Sequence, residues 1–437
     1  MDILRVVLIL TTRLVIGEKV QTICEYSLVQ ISDECPTISS VDWERYGEEL
    51  YKARAMLFLQ GSASSMNAVY HLLKSVTWEG FHVAFECPQA ALSSFYSLAA
   101  GLAYAGRLRR AQAVLFLGFI FARDKGFYDC SPWPIRGWDM LLASRFLTER
   151  VSAIDSASVP QDIPRSLVKF GPGEIAIVSI CAYGDDQPIK QLSRENHRAY
   201  AELHGYTLYH FETSEDFQDN HVANMSTRDK NPFFWKVIAV RNVLESHKWV
   251  LWMDCDAFFM EPSMTIDSIL ETYAEPHESS GPEEISKDLL ITVDTTGLNN
   301  GVWLMRHSSW SIDFLSRWWN SDILQGAGTT HNCSDQSTML YELLYVNTMR
   351  DLASENGEGW DRGEASIWPT EVAVVPQEYL QSFHKETAEA VLSREFQDGD
   401  FIKHHPGCHY YKKPCQILYA MAHASFAGKL TNLINNH

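Results

Sequence analysis

Positive charge is scarce in this chain. Its 437 residues include 36 Lys and Arg against 55 Asp and Glu, which gives a formal net charge of -19. A protein that binds nucleic acid needs a basic surface for the phosphates, so this composition argues against that class of partner. An anionic ligand is not excluded, because a bound divalent cation can reverse the local field.

Cysteine is also sparse. Nine cysteines are too few for a disulfide scaffold, and the odd number leaves at least one thiol free or paired between chains. Cys24 with Cys35, and Cys408 with Cys415, are close enough in sequence to pair. The sequence allows these two disulfides without establishing them.

The N-terminus lacks an apolar run long enough to cross a membrane. Its run at residues 6–10 is broken by two threonines and an arginine, whereas a spanning helix needs about 20 mostly apolar residues. Residues 1–17 are either a weak signal peptide that ends at Gly17 or an amphipathic or buried first helix. Two Asn-x-Ser tripeptides, at Asn224 and Asn332, fit N-glycosylation if the chain enters the secretory pathway.

Three segments follow this N-terminus. Residues 18–155 have the pattern of a helical domain, in which one hairpin resembles the tetratricopeptide type without a second copy at a fixed period. Residues 156–173 contain three prolines and two glycines, which is typical of a linker. From Glu174 to the C-terminus, short apolar runs rich in β-branched residues alternate with helical patterns, which predicts an α/β domain over residues 174–437.

Strands and helices alternate within this α/β domain. The alternation predicts a Rossmann-like mixed sheet in which most strands run parallel. The predicted strands cover residues 174–182, 206–211, 249–253, 289–293 and 302–305, and the predicted helices cover residues 188–203 and 232–247.

The most informative motif is Asp254-Cys255-Asp256, which follows the wholly apolar strand at residues 249–253. Ligands bind outside the carboxyl ends of the strands in open α/β sheets. Two carboxylates at such an end suit Mg²⁺ or Mn²⁺, which can bridge a diphosphate. The alternative is a turn in which the Asp side chains cap the next element.

Three further residues are candidates for the same site. His404 lies in a short loop after Phe401 and Ile402, and imidazole also binds Mn²⁺. Asp335 and Gln336 open a helical pattern with Ser334 as its N-cap, where they either contact a hydroxyl-rich or anionic group or serve capping alone.

Together these motifs resemble glycosyltransferase family 34, which holds fungal α-galactosyl- and α-mannosyltransferases and plant xyloglucan xylosyltransferases. The resemblance extends from about Glu174 to the C-terminus and depends on the order and spacing of the whole set. The matching motifs are Glu195-Asn196-His197 with Tyr200 and His204-Gly205-Tyr206, Trp235-Lys236, Trp252-Met253-Asp254-Cys255-Asp256-Ala257, Leu298-Asn299-Asn300-Gly301-Val302, Met305-Arg306, Trp310 to Leu315, Asp335-Gln336-Ser337, and Gly399-Asp400-Phe401 with His404 and Gly407-Cys408.

The resemblance implies a GT-A fold, a UDP- or GDP-linked sugar donor, Mn²⁺ or Mg²⁺, and transfer with retention at the anomeric carbon. It implies that Asp254 and Asp256 hold metal and nucleotide and that His404 is the third protein ligand. It also implies that Asp335 and Gln336 lie beside the transferred sugar and the acceptor. The remaining donor-binding candidates are Val178, Ile180, Ala182 and Tyr183 beside the base, Cys255 within the motif, Lys236 beside the nucleotide or its phosphates (or simply solvated), and His409 and Lys412.

The chain departs from the plant pattern at three places. Ser334 stands where plant members carry Asp, which bears on acceptor choice. His409 stands where they carry Lys, so a phosphate contact moves to Lys412 or Lys413. His405 directly follows His404, so either is a candidate ligand, and His404 is kept on register.

The sequence therefore predicts a retaining, Mn²⁺-dependent glycosyltransferase of the secretory pathway or Golgi lumen, with membrane association left open. It acts on an oligosaccharide or polysaccharide acceptor. Front-face attack is favoured, because no residue clearly takes the role of a carboxylate nucleophile. The alternatives are a catalytically inactive protein that binds sugar nucleotides or glycans, and an N-terminal helical region that docks a protein partner.

Overall fold

The structure is a computed structural model. It describes residues 99, 102–103, 107–122, 144–145, 147–152, 169–213, 216–217, 232–275, 286–295, 297–321, 334–353, 366–390, 393–408 and 415–435. Most of the predicted N-terminal helical domain lies outside these residues, as do residues 1–17, both Asn-x-Ser asparagines, His409 and Lys412. No helix among the described residues is both long and apolar enough to cross a membrane.

Nine helices and nine strands are labelled here in chain order. They are α1 (Leu108–Ala122), β1 (Ile175–Ile180), α2 (Pro188–His204), β2 (Thr207–Phe211), α3 (Trp235–Leu244), β3 (Trp249–Met253), β4 (Ala257–Phe259), α4 (Ile266–Tyr273), β5 (Leu289–Asp294), β6 (Gly297–Arg306), α5 (Ser309–Asn320), α6 (Ser334–Ala353), β7 (Val372–Val374), α7 (Gln377–Leu380), β8 (Ser382–Phe383), α8 (Lys385–Ala390), β9 (Ile402–His404) and α9 (Cys415–Asn435).

The main sheet has the strand order β2-β1-β3-β6-β5-β7. β1 runs parallel to β2 and β3, β5 runs parallel to β7, and β6 runs antiparallel to both of its neighbours. The predicted mixed α/β sheet is confirmed, and every predicted strand is present. Gly205 ends α2 in the left-handed conformation (φ 74°). The predicted helix over residues 232–247 is shorter, because a 3-10 turn precedes α3 and the chain leaves the helix after Leu244.

The alternation of side chains along each central strand builds two cores, one on each face of the sheet. Val250 and Trp252 of β3 pack on the face covered by α1, α3, α5 and α6. Trp249, Leu251 and Met253 pack on the opposite face with α2 and α4. Because β3 is buried on both faces, its end is held firmly, and this is the end that carries the Asp-x-Asp motif.

A second, three-stranded sheet has the order β4-β9-β8. β4 pairs antiparallel with β9, so that Ala257 lies opposite His404. The amide of His405 donates to the carbonyl of Asp256 (3.0 Å). This pairing brings residues about 150 positions apart in sequence to one place.

The described parts of the N-terminal region pack directly on the α/β layer. α1 contributes Phe116 and Leu117 to the same core as α6, and the hydroxyl of Ser144 donates to the carbonyl of Thr295 (2.5 Å). The last residues of the predicted linker are also packed: Phe170 is buried, and its amide donates to Asp267 of α4 (2.8 Å). Lys169 and Phe170, which the sequence assigns to the linker, therefore contact α4 through Asp267.

Candidate metal and donor site

The site begins where β3 ends. The amide of Asp254 donates to the carbonyl of Gly301 on β6 (2.7 Å), which continues the sheet by one residue. The chain then turns, with the amide of Ala257 donating to the carbonyl of Asp254 (3.0 Å). The indole of Trp252 donates to Oδ1 of Asp254 (2.9 Å) and fixes that carboxylate. This turn aims two carboxylates at one place beyond the strand.

His404 reaches the same place from β9. Its Nε2 lies 3.2 Å from Oδ1 of Asp256 and 4.0 Å from Oδ2 of Asp254. One ligand atom from each residue falls within 4.8 Å of the others. Two carboxylates with one imidazole are a donor set that suits Mn²⁺.

The imidazole of His404 lies over Gly301. A Cβ built at Gly301 would collide with the ring atoms of His404. Only glycine at this position of β6 lets the ring approach the carboxylates, which gives Asn300-Gly301 a steric role beyond pairing in the sheet.

Lys236 of α3 is buried and joins the motif to α6. Its Nζ lies 3.3 Å from Oδ1 of Asp254 and 3.0 Å from Oδ2 of Asp335. It also lies 3.3 Å from the side-chain oxygen of Asn300 and over the ring of Trp252. Asn300 Nδ2 donates to Asp335 (2.7 Å). The ammonium is thus enclosed by oxygen acceptors and is not solvated.

The pKa values reflect these contacts. Burial raises the pKa of Asp254, and Lys236 and His404 offset only part of that rise. Burial also acts to raise the pKa of Asp256, but His404, His405 and a backbone hydrogen bond together lower it by more, so the net shift is downward. Burial acts to lower the pKa of Lys236, and the two carboxylates raise it by more, so the ammonium stays charged.

Asp335 and Gln336 lie at the start of α6, next to β6. Asp335 is 4% exposed, and its carboxylate contacts Lys236 and Asn300. Gln336 Oε1 lies 3.4 Å from the amide of Asn300. Asp335 is thus connected to the metal motif by Lys236 and Asn300, and Gln336 by the backbone of Asn300. The side chain of Ser334 is outside the described part of the chain.

The carboxyl end of β1 lies on the other side of the motif. The side chain of Val178 is fully buried, Ile180 is partly buried, and Ala182 and Tyr183 are exposed. Although Tyr183 is 46% exposed, partial desolvation of its phenol and the charges of Asp256 and Asp254 raise its pKa. An open surface for a ligand is therefore offered by Ala182 and Tyr183, while Val178 supports it from the core.

Within the described part of the chain, two disulfides join residues around the site. Cys181 pairs with Cys255, which ties the end of β1 to the middle of the Asp-x-Asp motif. Cys408 pairs with Cys415, as the sequence allowed, and joins the loop after β9 to α9. The side chain of Cys255 is 4% exposed and covalently engaged.

His405 points away from the carboxylates. Its ring is buried and lies 5.1 Å from the ring of His384 and 5.7 Å from that of Tyr419. Within the described residues, neither ring nitrogen of His405 has a hydrogen-bond partner. The alternation of side chains along β9 and the residues after it explains why His404, and not its neighbour, faces Asp256.

Sequence reasoning missed several residues of this site. Asn300 and Gly301 belonged to a motif but were given no role, and Cys181 was not paired with Cys255. Gln381 was missed entirely: it precedes β8, and its Oε1 lies 2.9 Å from Nδ1 of His404. No local pattern distinguishes this glutamine, because its partners come from three distant segments.

Several known proteins are similar to part of this chain. Residues 175–354 match the galactosyl transferase GMA12/MNN10 family. The chain is 25% identical over 245 residues to the probable α-1,6-mannosyltransferase MNN10 of Saccharomyces cerevisiae, covering 51% of this chain and 56% of the relative. It is 23% identical over 249 residues to the probable α-1,2-galactosyltransferase gmh1 of Schizosaccharomyces pombe, covering 51% and 64%. The chain thus spans less than two thirds of either relative.

A solved structure was also found to be similar. It is a glycosyltransferase involved in the glycosylation of the major capsid of PBCV-1, with 15% sequence identity and a TM-score of 0.36, covering 57% of this chain and 98% of that one.

Proposed function

We propose that the chain is a metal-dependent glycosyltransferase, because residues 175–354 match the galactosyl transferase GMA12/MNN10 family. It moves a hexosyl or pentosyl group from a UDP- or GDP-linked donor to a glycan acceptor with retention at the anomeric carbon. The matched segment contains Lys236, Asp254, Asp256 and Asp335, whereas His404 lies beyond it and enters the proposal through its position in the fold.

The proposal is supported mainly by one observation. Asp254 and Asp335 flank the ammonium of Lys236, Asp256 lies beside Nε2 of His404, and His404 adds a nitrogen ligand. With His404 neutral, as a metal ligand must be, three carboxylates against one ammonium leave two negative charges in a largely enclosed place. A divalent cation neutralises this excess and uses the three ligand atoms that already converge, so the residues present fit Mn²⁺ or Mg²⁺.

The residues have distinct roles in the proposed transfer. Asp254, Asp256 and His404 hold the metal, and Ala182 and Tyr183 receive the base with Val178 and Ile180 behind them. A bound Mn²⁺ or Mg²⁺ would supply electrostatic stabilisation of the diphosphate leaving group. Lys236 holds the carboxylate of Asp254 in place from the opposite side.

The contacts of Asp335 bear on stereochemistry. Its Oδ2 is engaged by Lys236 and Asn300, so Asp335 is better suited to orient Gln336 and the sugar than to attack the anomeric carbon. This supports front-face attack, in which a leaving phosphate oxygen takes the proton of the acceptor hydroxyl. Gln336 then lies beside the transferred sugar.

The two disulfides indicate the kind of cellular compartment in which the chain works. Disulfides persist in oxidising compartments and are rare in the cytosol. Cys181–Cys255 and Cys408–Cys415 therefore support the proposal that the chain works in the lumen of the secretory pathway, such as the Golgi. The catalytic domain is proposed to cover residues 174–437, with a helical region before a linker at residues 156–173.

Donor hydrolysis tests the enzymatic proposal. The full chain is incubated with UDP-galactose, UDP-xylose, UDP-glucose and GDP-mannose in the presence and absence of Mn²⁺, and nucleotide release is measured. We expect Mn²⁺-dependent hydrolysis of at least one donor and its loss in Asp256→Ala. The matched control is Asp398→Ala, because the side chain of Asp398 is 88% exposed and pairs with Lys429 at the surface.

Two results would replace the proposal. Metal-independent binding of a nucleotide sugar without turnover would favour the catalytically inactive binding protein. Equal activity in wild type and Asp256→Ala would place the chemistry elsewhere in the chain.

A further inference from the structure

The His404 ring contacts Gln381, a residue that lies outside all the sequence motifs described above. Gln381 is fully buried between the two sheets. Its Nε2 donates to the carbonyl of Asn299 on β6 (3.0 Å) and to the hydroxyl of Thr292 on β5 (2.8 Å). Its Oε1 lies 2.9 Å from Nδ1 of His404 on β9.

These contacts determine where hydrogens lie. A backbone carbonyl only accepts hydrogen bonds, so the Gln381 atom that faces Asn299 must be the amide nitrogen. The other atom is then the oxygen, which only accepts, and Nδ1 of His404 must donate to it. The assignment follows from the partner chemistry and does not depend on which amide orientation is drawn.

The consequence appears on the other side of the ring. With its proton on Nδ1, a neutral His404 presents a lone pair at Nε2, and this atom faces Asp256 at 3.2 Å and Asp254 at 4.0 Å. A lone pair and carboxylate oxygens do not bond one another, whereas all three become ligands around a cation.

We propose that Gln381 is a positioning residue of the metal site, which fixes the tautomer and the ring plane of His404 so that Nε2 serves as the metal ligand. The inference rests on the proposed metal site and adds to it a residue that contacts a metal ligand. Hydrogen-bond partners of this kind commonly contribute 10- to 100-fold to metal affinity. Gln381 itself does not touch the metal, donor or acceptor.

Gln381 also connects this ligand to the main sheet. Asn299 accepts from Gln381 through its backbone carbonyl, and its side chain accepts from the amide of Gly301 (2.9 Å). Gly301 is the residue over which the His404 ring lies. The ring is therefore held by a hydrogen bond at one edge and by backbone contact on one face.

Metal binding tests the proposal without relying on turnover. Mn²⁺ alone is titrated into the full chain and the free ion is followed by EPR. We expect Gln381→Leu to weaken Mn²⁺ binding about 10- to 100-fold. Gln381→Glu keeps an acceptor for Nδ1 but places a second acceptor against the carbonyl of Asn299, so it should recover part of the affinity.

Gln377→Leu is the matched control. Gln377 lies on α7, and its Oε1 accepts from Ser393 (2.9 Å) and Arg394 (3.2 Å), with no contact to His404. Its loss should change stability and leave Mn²⁺ affinity unchanged. Unchanged affinity in Gln381→Leu, with loss in His404→Ala, would overturn the role of Gln381. Equal affinity in wild type and His404→Ala would instead overturn the metal site itself.

A spectroscopic measurement on the wild type covers the case in which Gln381→Leu does not fold. With Mg²⁺ added, the chain labelled with ¹⁵N-histidine should show His404 protonated at Nδ1 and unprotonated at Nε2. His404→Gln supplies the assignment. A proton on Nε2 of His404 in the presence of Mg²⁺ would overturn the proposal.

Discussion

At the scale of single residues, the buried contacts of Lys236 lead to a prediction about the stability of the fold. Lys236→Met leaves Asp254 and Asp335 without their common cation. Removing one partner of a buried ion pair typically costs about 3–5 kcal/mol, so the free energy of unfolding at neutral pH should fall by about that amount. Urea unfolding monitored by tryptophan fluorescence measures the change.

The same variant has a pH signature. Burial already raises the pKa of Asp254, and Lys236 offsets part of that rise, so its loss raises the pKa further. A carboxyl whose folded pKa lies above its unfolded value stabilises the fold at low pH, and the stabilisation is lost as pH rises. The difference in the free energy of unfolding between Lys236→Met and wild type should therefore shrink on acidification.

The control for both measurements is Lys429→Met. This variant removes a surface ion pair and should lower the free energy of unfolding by less than about 1 kcal/mol.

Gly301 yields a second prediction at this scale. In Gly301→Ala the new methyl group meets the ring of His404 and displaces Nε2 from the carboxylates. We expect Mn²⁺ affinity to fall at least about 10-fold, with a loss of stability of about 1–3 kcal/mol from overpacking. Gly428→Ala on α9 is the matched control, because its Cβ would meet nothing within 4 Å. Intact Mn²⁺ binding in Gly301→Ala would contradict the close approach.

At the scale of elements, the sequence predicts what depends on short-range pattern. Apolar runs identify β1, β3, β5 and β6, and Gly205 marks the end of α2. The same patterns do not reveal that β6 runs antiparallel between β3 and β5, since strand direction depends on connections and pairing. They also miss β4, β7, β8 and β9, each no longer than three residues.

The residues of the candidate site also differ in whether a short-range sequence pattern reveals them. Asp254 and Asp256 could be predicted because a single strand delivers both, and His404 because its surrounding motif is distinctive. Gln381 could not, since its three partners lie on β5, β6 and β9 and become neighbours only when the two sheets pack. The disulfide from Cys181 to Cys255 was missed for a similar reason, because its cysteines are 74 residues apart.

The two disulfides give a prediction about the elements that they join. The cost of closing a loop in the unfolded chain grows with its length. Cys181–Cys255 spans 74 residues and Cys408–Cys415 spans 7, which corresponds to stabilisation of about 4 and about 2 kcal/mol. Cys181→Ala/Cys255→Ala should therefore lower the Tm by more than Cys408→Ala/Cys415→Ala. Equal Tm values for the two double variants would contradict this ranking.

At the scale of the whole molecule, stability should depend on pH through buried histidines. His197 of α2 is fully buried, and its Nε2 donates to the carbonyl of Ala257 (2.9 Å), directly after the metal motif. Burial lowers its pKa from 6.5 to about 4, and the hydrogen bond to Ala257 offsets only part of this effect. Burial also lowers the pKa values of His204, His210, His384 and His405.

The sign of the pH effect follows from proton binding. Below its ordinary pKa of 6.5 the unfolded chain protonates His197, whereas the folded chain resists this until about pH 4. The free energy of unfolding should fall over this range as pH decreases, by about 1.4 kcal/mol per pH unit for this one group. Above the range, the contribution of His197 should be constant.

The variant His197→Gln tests this expectation. It keeps a donor for Ala257 but cannot take the proton, so the acid-induced loss in its free energy of unfolding, measured with urea, should be smaller by up to about 3 kcal/mol across the range. His307→Gln, at an exposed position, should follow the wild-type curve. A slope in His197→Gln equal to that of the wild type would show that acid sensitivity comes from other groups.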